Sequence, residues 1–244
     1  LFISQKRPNT ACIWLYRWLL FRLMISAGLV KLVSGDPTWR SGTALLFHYY
    51  TQPLPHSLGW LAHQLPAIVQ KASVYAMFMI ELIVPFCIWI GRRGRLIAFV
   101  GINSLMMIIG VTGNYGFFNL LVMVLTMMLV DDTDIKRWLP QLKLSVAYTQ
   151  ARSLTVTVIM VLLFILSLNL EAMRFIPRYR PPGSVMALQS IANPFLLMGR
   201  YGLFAVMTTT RNEIEVEGSH DGKTWQSYHF NWKPNNEGER PKWV

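Results

Sequence analysis

The stretch Leu23–Pro55, LMISAGLVKLVSGDPTWRSGTALLFHYYTQPLP, decides how the chain is read. An apolar helix runs into Lys31, a Gly35-Asp36-Pro37 turn stops it, and a Trp- and Tyr-rich amphipathic stretch follows. A long apolar run that ends in a cation and then an aromatic belt is the signature of a helix leaving a bilayer. Lys31 at that exit has two readings. It extends its stem so that the ammonium reaches the headgroups, or it lies desolvated at the mouth of a cavity and acts as a base. Asp36, brought back by the turn, favours a charged, interfacial lysine.

The rest of the 244 residues agree with a membrane chain. Hydrophobic residues make up 53% and charged residues only 14%, well below the roughly 25% charged of soluble domains. Mean hydropathy is +0.35. The formal charge of +11 also suits nucleic acid, but the cations cluster at the ends of apolar runs, where they set topology and meet anionic headgroups. Nucleic acid is therefore excluded as a partner, and the lipid bilayer is expected. Cys12 and Cys87 both fall in apolar runs, which excludes a disulfide-built fold.

Five runs approach the length that a hydrocarbon core of about 30 Å requires: 12–33, 73–90, 96–112, 116–130 and 154–170. The fourth is short, and the tight Thr112–Gly116 turn before it predicts a helical hairpin with the third. Arg92, Arg93 and Arg95 in one short link mark the inner side. Alternation from there puts Lys6, Arg7, Lys136, Arg137, Lys143 and Arg152 inside as well. Outside remain Arg40, Lys71, Arg174, Arg178 and Arg180. The N-terminus is thus expected inside and the C-terminal segment outside. The inner link 131–153 is expected to carry an interfacial helix with Trp138 facing lipid.

The expected fold class is a membrane all-α bundle of about five transmembrane helices, followed by the start of an extramembrane β-sandwich-like domain. Domain boundaries are expected at 1–176 for the membrane part, 177–184 for a Pro-rich linker, and 185–244 for the truncated β-rich part. A short helix over Val185–Ile191 precedes it. Alternation in Asn212–Gly218 and in Trp225–Trp232, joined by His220-Asp221-Gly222-Lys223, predicts a β-hairpin.

Arg22 lies near the middle of the first run. A central Arg costs about 2.5–3.5 kcal/mol on insertion scales, so it needs a partner. Glu81 is the acid in the middle of a predicted span. If the outer ends Val33 and Ser73 are level, Arg22 lies about 16 Å deep and Glu81 about 12 Å, but Lys31 only about 3 Å. This predicts an Arg22–Glu81 pair. His48, His56 and His63 have spacings unlike the i, i+3 or i+4 of helical metal motifs, so no metal site is expected. Asn103, Asn114 and Asn119 are expected to hydrogen-bond between helices.

The segments Trp14–Met24, Gly28–Leu32, Asp36–Trp39, Thr43–Leu45, His48-Tyr-Tyr-Thr-Gln-Pro-Leu-Pro55 and Ala62–Pro66, Glu81 with Pro85, the turn Thr112-Gly-Asn-Tyr-Gly-Phe-Phe-Asn119 and Asp131-Asp132 closely resemble the lipase maturation factor family. So do Tyr201-Gly-Leu-Phe204, Glu215–Ser219, Asp221-Gly222 and Trp225. The family-motif residues of the first loop are Gly28, Lys31, Asp36, Trp39, His48, Gln52 and Pro53. The resemblance implies a multi-pass endoplasmic-reticulum protein, or an inner-membrane one if the source is prokaryotic. It implies a chaperone-like role in the folding of secreted lipases, with a lumenal C-terminal domain and no cofactor. Tyr201, Phe204, Trp225 and Trp232 are then candidates for client binding, and the hairpin also looks like part of a discoidin-type sandwich. Members of the family extend beyond both ends of this chain, so a fragment is expected. Over Gly28–Trp39 alone, the chain also resembles the transmembrane domain of vitamin K-dependent carboxylases. That resemblance implies Lys31 as a catalytic base toward a quinol, and it is the alternative reading: a membrane enzyme or a lipid-quinone-binding protein.

Overall fold

A computed structural model describes residues 6–7, 9–113, 115–138, 149–150, 154–195, 198–200, 202–234 and 238–242. Asn114, Lys143, Arg152 and Tyr201 therefore lie outside the described residues. The first helix, α1, spans Thr10–Val33; Asn9 caps it by accepting from Ala11 N at 2.9 Å. It ends at Ser34, and Gly35 takes the left-handed φ of +82° that a side chain disfavours. Asp36 then caps α2 (Pro37–Arg40), with Pro at its first position. Two short helices, α3 (Ala44–Thr51) and α4 (Ser57–His63), complete a cap over one end of the bundle.

Helix α5 (Ala67–Leu82) runs into a 3-10 turn, Val84–Trp89, where Pro85 removes a backbone donor. Then come α6 (Gly91–Thr112), α7 (Phe118–Thr126) with a 3-10 turn Met127–Leu129, α8 (Asp132–Trp138) and α9 (Leu154–Phe175). Among the described residues, four helices are long and apolar enough to cross a membrane: Thr10–Val33, Ala67–Trp89, Gly91–Thr112 and Leu154–Phe175. Phe118–Leu129 is a shorter apolar helix. It nonetheless passes along most of α6. Asn119 approaches Gly110, Asn103 Nδ2 donates to Thr126 Oγ1 at 2.8 Å, and Arg95 reaches Leu129 O. Gly110 to Arg95 covers about 22 Å of helix, so the expected hairpin of the third and fourth runs forms.

Helices α1 and α9 are parallel. Asn9 donates to Thr157, Trp18 to Ser167 and Ser26 to Glu171, in ascending order along both. The cap and the C-terminal end of α9 therefore share one end of the bundle. The opposite end carries ion pairs of Arg17 and Arg95 with Asp131 and of Arg92 with Asp134. Between the two ends, Leu20, Met24, Ile88, Ala98, Ile102, Val122 and Leu129 form the apolar core. Trp138 at the end of α8 is 51% exposed.

After α9 the chain folds back through α10 (Gly183–Ala192) and a 3-10 turn, Asn193–Phe195. Helix α10 begins two residues before the expected Val185. Beyond it, β3 (Glu217–Gly218) pairs antiparallel with β4 (Gln226–Ser227). The hairpin is where the alternation put it, but only two residues long on each side. Asp221 Oδ1 accepts from Lys223 N and Thr224 N, and Gly222 has φ +66°, which closes the turn. A second minimal pair, β1 (Lys6–Arg7) with β2 (Thr149–Gln150), is parallel.

Candidate functional site

The cap end of the bundle holds the polar residues that the sequence singled out, in two linked groups. The first is an ion pair. Lys31 Nζ lies 2.9 and 2.8 Å from Glu81 Oε1 and Oε2 and 3.1 Å from Ala27 O. Both side chains are 6% exposed, and the ammonium sits 5.5 Å from the Trp39 ring centroid. An ammonium has three N–H donors, and here each has an acceptor. The lysine ties α1 to α5 from a buried position, and its side chain does not reach the surface.

The predicted Arg22–Glu81 pair is not formed. Arg22 lies instead with Nε 3.8 Å from Glu171 Oε1 on α9, and Ser26 Oγ donates to the same carboxylate at 2.9 Å. The reason is an offset between helix ends. Helix α5 begins at Ala67, not near Ser73, and its first turns project past Val33 to pack under α3. Glu81 thereby sits level with Lys31. Glu171 lay one residue past the predicted end of the last span and was overlooked as a partner. Gly28 makes the close approach possible: a Cβ there would fall 2.6 Å from Leu82 Cδ2 and 3.2 Å from Glu81 Cβ.

The second group is centred on Gln52, which is buried between α3 and α6. Its amide donates to Tyr49 O and Thr112 O, both at 3.1 Å, and its carbonyl accepts from Tyr115 O–H at 3.1 Å. Tyr115 Oη also lies 2.9 Å from His48 Nε2. Burial, with the Lys31 charge nearby, pushes the His48 imidazolium pKa down to about 4, so His48 is neutral at physiological pH. Burial, and then Tyr49, raises the Tyr115 phenol above its ordinary value. The three histidines do separate work. His56 Nδ1 caps α4 by accepting from Leu58 N, and the His63 ring meets the Tyr50 ring edge-on at 5.4 Å. Pro53, next to Gln52, is exposed.

This cap grips the far end of the chain. Asp36 caps α2 through Thr38 N and Oγ1, at 2.8 Å each, and accepts from Met207 N as well. Burial opposes ionisation of Asp36, but these three hydrogen bonds together hold its carboxyl below the usual range. Asp36 therefore serves the C-terminal segment, and Glu81 neutralises Lys31. Trp39 Nε1 donates to Phe204 O at 3.0 Å, Tyr50 Oη to Thr209 O at 2.8 Å, and Arg211 Nη1 to Tyr50 O at 3.1 Å and to Gln52 O. The Phe204 residue has a left-handed φ of +57°, and its ring packs edge-on against both His48 and Tyr115, with centroids 5.2 and 5.4 Å away. Phe204 is thus a clamp residue, whereas Trp225 and Trp232 stand 59% and 66% exposed on the hairpin side. A cleft of about 890 Å³ separates the cap from the hairpin, lined by Tyr50, Trp60, His63, Arg211, Tyr228 and Lys233 among others. The clamp partners Met207, Thr209 and Arg211 were invisible to sequence reasoning. Tyr115 lay inside the quoted Thr112–Asn119 turn, without an assigned task.

These features define a polytopic membrane bundle whose extramembrane cap clamps a C-terminal segment. The family model for the lipase maturation factor transmembrane domain matches residues 2–137, and that for the lipase maturation factor C-terminal domain matches residues 197–244. The chain belongs to the lipase maturation factor family. It is 48% identical over 135 residues to lipase maturation factor 2 of Gallus gallus, covering 54% of this chain and 19% of that protein. Against lipase maturation factor 2 of Homo sapiens it is 52% identical over 123 residues, 50% of this chain and 17% of that protein. Lipase maturation factor 1 of Homo sapiens is 28% identical over 269 residues, covering 98% of this chain and 45% of that protein. The chain thus spans less than half the length of these relatives. No solved structure matches.

Proposed function

We propose that this chain is the membrane and cap portion of a maturation factor that assists the folding of secreted lipases in the endoplasmic reticulum. The N-terminus and the Arg17–Arg92–Arg95 end face the cytoplasm, and the cap with the C-terminal segment faces the lumen. The observation that carries the reading is the clamp. Family-motif residues Asp36, Trp39, His48 and Gln52 are spent on fixing residues 204–211 to the bundle, rather than on lining an open catalytic cavity. A clamp of this kind presents the hairpin at a fixed place beside the membrane. Trp225 and Trp232, large aromatic residues of the sort that dominate protein-recognition surfaces, are then the client-contacting side chains. The bundle is anchor and scaffold.

The test is lipase secretion from cells lacking the endogenous factor and expressing the full-length parent protein. The wild type raises secreted lipase activity. Trp225→Ala with Trp232→Ala lowers it at unchanged membrane abundance. An unaffected double variant removes the hairpin from client contact, and a wild type without effect on secretion removes the function itself.

A further inference from the structure

Helix α10 does not leave the membrane end of α9 for solvent; it turns back alongside it. Gln189, in the last turn of α10, donates from Nε2 to Leu166 O at 3.2 Å. Leu166 lies nine residues before the end of α9 at Phe175, about 14 Å down the helix. That is close to half the thickness of a hydrocarbon core of about 30 Å. Tyr179 in the connecting turn hydrogen-bonds back to Asn169. The chain then returns to the surface. At Gly202 an added Cβ would fall 2.5 Å from Arg174 Nη2 and 3.0 Å from Val30 Cγ1, so residue 202 is level with the cap-side ends of α9 and α1.

The composition of the excursion matches its depth. Between Arg180 and Arg200 the sequence contains no charged residue, and Arg174, Arg178, Arg180 and Arg200 flank the segment. Gln189 and Ala192 face α9, at 7% and 8% exposure. The other faces carry Met186, Leu188, Ile191 and Phe195, exposed at 54%, 42%, 66% and 72%. Leu162 and Ile165 on α9 are likewise apolar and exposed, at 41% each. A ten-residue apolar helix is too short to cross a bilayer, but its backbone is internally hydrogen-bonded and so can enter one from a single side.

We infer that residues 183–195 form a re-entrant element inserted into the cap-side leaflet, with lipid acyl chains as the partner of its exposed face. The inference rests on the reading of α9 as a membrane span. The segment read from sequence as the first part of an extramembrane β-rich domain is then a membrane part, and the extramembrane part begins near Gly202.

The experiment uses the full chain with Cys12 and Cys87 replaced by Ser. Single cysteines replace Ile191, Met186, Leu162 on α9 and Tyr228 on the hairpin, each carrying an environment-sensitive fluorophore. The proteins are reconstituted in phosphatidylcholine vesicles with brominated acyl chains. Ile191→Cys and Met186→Cys are expected to lose fluorescence as strongly as Leu162→Cys, while Tyr228→Cys keeps its emission. Quenching at Leu162 without quenching at either α10 site overturns the re-entrant element alone. No quenching at Leu162 overturns the membrane reading of α9. Two positions on α10 keep the test decisive if one variant misfolds, as judged by size-exclusion chromatography.

Discussion

At the residue scale, Glu81 meets Lys31 and Glu171 meets Arg22, and these partners differ from those that depth alone suggests. Removing one partner of a buried ion pair costs about 3–5 kcal/mol, because the remaining charge is left desolvated; replacing both by apolar groups is often near neutral. Lys31→Met and Glu81→Met are therefore each expected to lower the yield and thermal stability of the detergent-purified protein. The double variant recovers most of both. Strictly additive losses would show that the two side chains do not interact. His48 gives a pH signature. Its pKa is about 4 in the folded protein against the 6.5 of an ordinary histidine. The unfolded chain binds the proton more readily, so the contribution to stability is complete above pH 6.5. It is lost as pH falls toward 4, by up to about 3 kcal/mol. Thermal melts of the wild type and His48→Gln between pH 7 and 4 are expected to converge on the acid side. Parallel curves would exclude His48 as the titrating group.

At the scale of elements, the sequence reading worked where a signal is local and failed where it depends on how elements are offset. The Gly35 stop and the Asp221-Gly222 turn are properties of a few neighbouring residues, and each stands where expected. The charge partners were misread because the cap-side ends of α1 and α5 are not level, and nothing within either helix records that. The two-residue strands fell short of the alternation because isolated strand pairs hold little structure by themselves. Glycines at helix contacts are a related case: ordinary in sequence, decisive in packing. A Cβ on Gly59 in α4 would fall 2.6 Å from Thr112 O, a backbone atom of α6 with no freedom to rotate away. Gly59→Ala is expected to cost about 1–3 kcal/mol by overpacking. Because the displaced segment includes the Thr112 O–Gln52 contact, the loss would be seen as faster amide exchange in α3 and α4. Unchanged exchange there would count against a rigid α4–α6 contact.

At the scale of the whole molecule, the clamp joins residues about 170 positions apart in sequence. Asp36 holds Met207 N with a carboxylate, and a charged acceptor strengthens such a bond. Asp36→Asn keeps the shape but removes the charge and supplies donors where acceptors are needed. The expected result is faster limited proteolysis between Ala192 and Arg211, with the bundle itself intact. Arg211→Ala acts from the other side of the same clamp, by freeing Tyr50 O and Gln52 O. Cleavage at the wild-type rate in both variants would show that the segment is held by other contacts.

The clamp also orders events during synthesis. The cap residues Asp36 to Gln52 are translated early, yet their partners at Phe204 to Arg211 emerge only after the four described membrane-length helices have been made. Until then the Trp39 indole and the Asp36 carboxylate wait without the backbone groups that later engage them, and the His48 and Tyr115 rings lack the Phe204 ring that packs edge-on against both. A chain cut short before Phe204 leaves these cap groups without the contacts that residues 204–211 supply. The cap thus gains its full set of contacts only after the last described α-helix has been made.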